Sequence, residues 1–219
     1  MPAAQTIREQ LENFADFLVS NGHALSFNAF VHSSDEVTWY RRPNPDPFLP
    51  SRSHHSLENY LSWVRNGEFS VMLADGALLQ FTYQFAGEAV RGHRLGYVPC
   101  PFADEDEILS DADVDFFVDY YSSAGLDAVQ FQSAVRFDYD PDNAAPGHPA
   151  SHLTINTSET RIACAGPVSP DRFVRFVFTH FYPQATDVIE YFDRLPKAGQ
   201  FPSHLSEDDK ADIHLSWPT

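Results

Sequence analysis

The segment from Phe69 to Val98 constrains this chain most. Apolar runs at Phe69 to Leu73 and Leu78 to Phe85 flank the dipeptide Asp75–Gly76. That pair suits the left-handed backbone of a tight hairpin turn. Glu88 to Val98 reads as a third strand of the same meander. Strands joined by connections this short pair antiparallel, so such a sheet must sit at the centre of the fold.

Helices and further strands surround the meander. Ile7, Leu11, Phe14 and Leu18 recur at helical spacing, with Thr6 and Glu9 as a capping box and Gly22 as the stop. Leu25 to Val31 and Val37 to Arg41 read as strands joined at Ser33–Ser34–Asp35. Arg42 to Pro50 holds four prolines and is a loop. Ser56 opens a helix with Leu57, Tyr60, Leu61 and Val64 inward, stopped by Gly67. After the meander comes an acidic loop over 103–113, then a helix presenting Val114, Phe117, Val118 and Tyr121 and ending at Gly125. Ala128 to Tyr139, Ser151 to Asn156 and Arg161 to Cys164 read as strands, with a proline loop over 141–149. Ser169–Pro170–Asp171 marks a helix start. Phe173, Val174, Phe176, Val177, Phe178 and Phe181 cover most of the circumference, so this helix is expected to be the central buried one. A helix from Thr186 to Leu195 follows, and from about 196 the chain is a polar, loosely packed tail. Strands and helices do not alternate regularly, which argues against a doubly wound fold. The expectation is one α+β domain over 1–219, with an antiparallel or mixed sheet and about five packed helices.

Charge narrows the function. The 219 residues include 31 acidic and 14 basic side chains, a formal net charge of −17. Such a field repels nucleic-acid backbones and anionic lipids, so general duplex DNA binding is not expected, and a basic protein partner is favoured. The first residues lack an apolar signal core, and no apolar run approaches the ~18 residues of a membrane span. A cytoplasmic protein is the expectation. Cys100 and Cys164 stand in apolar surroundings and read as reduced core thiols.

Candidate chemistry concentrates between Arg136 and Arg161. Side chains two apart share a strand face, which groups Arg136, Asp138 and Asp140 opposite Phe137 and Tyr139. The next strand groups His152, Thr154 and Asn156 opposite Leu153 and Ile155. If the two strands are neighbours, their polar faces coincide, and Arg161 can join from the strand after. Guanidinium groups clamp phosphate oxygens and an imidazole moves protons, so the patch suits a phosphate-bearing ligand. It also suits a solvent-facing sheet laced by ion pairs. His93 and Arg94 form a second candidate spot for an anion. His148 and His152 are four apart, but Pro149 keeps them off one helix. With no HExxH, Walker loop or GxGxxG motif, no metal or cofactor is expected.

The stretches HRLGYVPCPF (93–102), RFDYDP (136–141), HPASHLTIN (148–156) and RIACAGPVSPDRFVRFVFTHFY (161–182) resemble a bacterial family catalogued as domain of unknown function 2290. The resemblance implies a single-domain cytoplasmic protein of a kind often found in mobile or defence-related gene clusters, with no activity to carry over. The residues that carry it include His93, Arg94, Arg136, Asp138, His148, His152 and Arg161.

Two functions are expected from these readings. One is an accessory or regulatory protein-binding component of a bacterial stress or phage-defence system. The other is a metal-independent phosphoesterase or RNA- or nucleotide-processing enzyme. There His148 and His152 would transfer protons, and Arg136, Asp138, Thr154, Arg161, His93 and Arg94 would hold a phosphate-bearing ligand or RNA end.

Overall fold

The meander forms the spine of the sheet. In the computed structural model, which describes residues 3–33, 35–39, 57–102, 114–123, 132–156, 159–194, 201 and 203–217, strand β4 (Val71–Leu73) pairs antiparallel with β5 (Leu78–Ala86). Gly76 takes φ 86° at the turn, and the Asp75 carboxylate accepts the Ala77 amide at 3.0 Å. Strand β5 pairs with β6 (Ala89–Val98) from Leu78 opposite Val98 to Ala86 opposite Ala89.

Strands add on both sides. β1 (Ala24–Phe27) pairs with β4, while β3 (Glu36–Trp39) takes the far end of β5 and carries β2 (Phe30–His32). On the other side β7 (Val135–Tyr139), β8 (Ser151–Ile155) and β9 (Arg161–Cys164) follow in antiparallel order. Strand β10 (His214–Leu215) joins β9 in parallel, which makes the sheet mixed. The helices are α1 (Ala3–Ser20), α2 (Leu57–Asn66), α3 (Val114–Ser122), α4 (Pro170–Phe181), α5 (Thr186–Arg194) and α6 (Glu207–Ala211). The fold is α+β, and among the described residues no helix is long and apolar enough to cross a membrane.

Each face of the sheet has its own core. Leu79, Phe81, Tyr83, Leu95, Tyr97, Phe137 and Leu153 face one way and pack with residues of α1, α4 and α5. The opposite face presents Met72, Leu78 and Val98 to Tyr60, Leu61, Trp63 and Val64 of α2. Phe173 of α4 lies edge-on to Phe81 at 5.4 Å between centroids and is fully buried.

The structure redraws several expected elements. The strand expected over Leu25 to Val31 is two, because Asn28 leaves the ladder and its side-chain amide donates to the carbonyls of Gly67 and Phe69, at 3.1 and 2.7 Å. Helix α4 buries a stripe, Phe173, Val174, Val177 and Phe178, whereas Phe181 is 39% exposed and packs on Tyr97 at 4.5 Å. The strand expected from Ala128 begins at Val135 among the described residues, and 124–131 lie outside them. So do the proline loop over 42–50, the acidic loop over 103–113 and Gly125. The end of the expected tail is drawn in: β10 adds to the sheet, the Leu215 carbonyl accepts the Ala165 amide, and Arg172 lies 4.9 Å over the Trp217 ring.

Candidate functional site

Strand register alone assembles a polar field on the α2 side of the sheet. Arg94 stands opposite Asp138, and Asp138 opposite His152. In the adjacent row Arg136 stands opposite Thr154, and Thr154 opposite Arg161. The alternation predicted from residues 136 to 161 therefore brings Arg136, Asp138, His152, Thr154, Arg161 and Arg94 to one face.

Asp138 is the hub. Its Oδ2 accepts the Arg136 Nε–H at 2.7 Å and lies 3.6 Å from His152 Nε2, while Oδ1 is 3.8 Å from Arg94 Nε. Only 5% of Asp138 is exposed, and 3% of His152. His152 Nδ1 donates to the Pro149 carbonyl at 2.9 Å, which turns Nε2 toward the carboxylate. Burial lowers the His152 pKa, the Asp138 charge opposes this, and His148 and Arg161 lower it further. The His148 ring sits 5.0 Å from that of His152. A tight turn delivers it: the His148 amide donates to the Ala145 carbonyl at 2.7 Å, across Pro146 and Gly147 at φ 75°. Proline at the second and glycine at the third position suit this turn.

His93 stands apart from this group. It faces the apolar side between Tyr83 and Tyr139, at 5.6 and 5.9 Å. Its Nε2 accepts the Val168 amide at 2.8 Å, and the Tyr83 hydroxyl donates to the Val168 carbonyl, also at 2.8 Å. His93 thus anchors the peptide that leads into α4. Burial pushes its pKa down to about 4. Its strand neighbour Arg94 points the other way, to the polar face.

Beyond Arg94 the polar face opens into a cleft of about 530 Å³ lined by Glu36, Gln84, Arg91, Arg94, Asp140 and Asp142 among others. Sequence reasoning passed over Glu36, Arg91 and Asp142 as site residues. The β5–β6 register shifts after Gln84, so Gly92 faces Gln84 and Val90 faces Phe85. The extra residue of this bulge is Arg91, which reaches Asp142 of the short 3-10 turn Pro141–Asn143 at 2.7 Å. Such a bulge re-aims a side chain. Gly92 keeps the floor low: a Cβ there would lie 3.1 Å from the Tyr139 carbonyl oxygen and 3.3 Å from Gln84 Oε1. Gly92→Ala is expected to destabilise the protein by about 1–2 kcal/mol through overpacking. Urea denaturation checks this, and an unchanged midpoint would mean that β7 yields without strain.

Among the described residues no group of three or more His, Cys, Asp or Glu side chains is arranged to hold a metal ion. The side chains that are brought together suit ion pairing in the open cleft and anion binding along the Arg136–Thr154–Arg161 row. Compared with known proteins, residues 23–217 match a family model described as Uncharacterized conserved protein (DUF2290). No curated protein and no solved structure matches the chain.

Proposed function

Because the chain belongs to the DUF2290 family, whose description assigns no chemistry, we propose a function from the site itself: this protein is an accessory or regulatory recognition component that binds a basic protein partner through the polar cleft. One observation carries the reading. His152, the side chain best suited to move a proton, is buried, with Nδ1 on Pro149 and Nε2 turned to Asp138. A general acid or base must come within hydrogen-bond reach of its substrate, and this ring faces protein on both nitrogens. What the cleft offers a visitor is charge: Glu36, Asp140, Arg94 and the Arg91–Asp142 pair.

The field of a chain with net charge −17 draws in a basic segment. Glu36 and Asp140 then accept its guanidinium or ammonium groups, while Arg94 takes a carbonyl or carboxylate beside them. A stress or phage-defence setting, implied by the family resemblance, suits such a component. The test is affinity purification from the native host at low salt, using wild type and the double variant Glu36→Gln/Asp140→Asn. The expected result is a stoichiometric basic protein that wild type retains, that salt elutes, and that the double variant holds at least about tenfold more weakly, since each charged hydrogen bond contributes about 1.5–3 kcal/mol. Recovery of wild type alone at low salt would remove the proposal.

A second reading, the metal-independent phosphoesterase, draws on the His148–His152 ring contact beside Arg136 and Arg161. It requires a conformation in which His152 Nε2 leaves Asp138 and reaches the ligand.

A further inference from the structure

The row Arg136–Thr154–Arg161 lies beside the cleft and has an unanswered hydrogen bond of its own. Thr154 is 6% exposed, and among the described residues its buried hydroxyl has no hydrogen-bond partner. Buried polar groups are almost always paired, and a native exception asks for a reason. The neighbours are unusual too. Thr154 stands directly opposite Arg136 on one side and Arg161 on the other. Directly opposed residues hold their Cβ atoms about 4.5–5.5 Å apart, so two guanidinium side chains flank one idle hydroxyl. Arg136 has an edge committed to Asp138 through Nε. Arg161 is half-buried, and among the described residues it meets no carboxylate. A buried hydroxyl flanked in the strand register by an arginine on each side is a pattern that suits an anion.

We propose that this row is a binding site for the phosphate group of a small ligand, held by the Arg161 fork, the Thr154 hydroxyl and Arg136. A tetrahedral oxyanion has enough acceptors to meet a two-pronged guanidinium, a hydroxyl and a second guanidinium together. A planar carboxylate has only two oxygens to share among them. The Thr154 hydroxyl donates to one phosphate oxygen. The ligand enters from the Arg161 side, since Arg161 is partly exposed while Thr154 is buried. This site is distinct from the cleft, and it stands whether or not a basic partner binds there.

Calorimetry and thermal denaturation with inorganic phosphate test the proposal on wild type, Thr154→Val, Arg161→Gln, Arg161→Lys and, as a cleft control, Arg94→Gln. Thr154→Val keeps the shape and removes a hydroxyl that has no partner among the described residues, so this variant is expected to fold. Wild type should be stabilised saturably by phosphate up to about 10 mM, and acetate at matched ionic strength should do nothing. Affinity should fall at least about tenfold in Arg161→Gln, and severalfold in Thr154→Val and Arg161→Lys, which lose a donor or the fork. Arg94→Gln should bind as wild type does. The site is overturned if wild type shows no stabilisation, if Thr154→Val and Arg161→Lys bind as tightly as wild type, or if only Arg94→Gln loses binding. Equal binding of acetate overturns the phosphate assignment.

Discussion

Asp138→Ala is expected to lower the unfolding free energy by about 3–5 kcal/mol, the usual cost of removing one partner from a buried ion pair. The carboxylate is 5% exposed and answers Arg136 at 2.7 Å and His152 at 3.6 Å. Alanine would leave a largely buried guanidinium facing a buried imidazole with no anion between them. Arg94 adds little to the loss, because its side chain is 57% exposed and 3.8 Å away, where solvent screens the pair. Asp138→Asn should cost less, since the amide oxygen still accepts the Arg136 Nε–H. The double variant Asp138→Ala/Arg136→Ala should be less destabilised than the two single changes added together, because both single changes remove the same ion pair. Urea denaturation reads all of these as midpoint shifts at constant slope. A loss below about 1 kcal/mol for Asp138→Ala would show that the hub is solvated like any surface pair.

The hub was legible in the sequence, and its burial was not. A period of two places Arg136 with Asp138 and His152 with Thr154 before any coordinates exist. What it cannot give is which face meets protein, because both faces of this sheet are covered over part of their area. The same period put His93 with Leu95 and Tyr97, opposite Arg94. The structure shows why that face wins: Tyr83 stands across from His93, and the Val168 peptide lies over both. The cleft was not legible, because Glu36, Arg91 and Asp142 come from three separate segments and Arg91 reaches it only through a one-residue bulge. A shifted register leaves no mark in local alternation. Strand β10 escaped for a related reason. Two residues carry no period, and it is the edge of β9 that gives His214 and Leu215 a strand partner. The family resemblance, carried by segments from 93 to 182, extends as a family match over residues 23–217.

That His93 serves the fold, and not the polar face, has a measurable consequence in acid. The Nε2 lone pair accepts the Val168 amide, so protonating that nitrogen sets two N–H groups against each other in a buried place. Burial is the main cause that brings the His93 pKa down from 6.5 to about 4. A base with a depressed folded-state pKa takes up its proton first in the unfolded chain. Its contribution is therefore intact above pH 6.5, erodes as pH falls, and is lost below about pH 4. At about 1.4 kcal/mol for each pH unit between those values, wild type should lose about 3 kcal/mol of stability through His93 across this window. His152, also lowered by burial, adds to the slope in the same direction. His93→Gln keeps an acceptor for Val168 and does not titrate there. It should cost little near neutral pH and flatten the acid slope by about 3 kcal/mol relative to wild type. The measurement is a set of urea denaturations between pH 4 and 7 on the two proteins. Parallel curves would mean that His93 is protonated in the folded state as readily as in the unfolded one, and the anchor at Val168 would have to be redrawn.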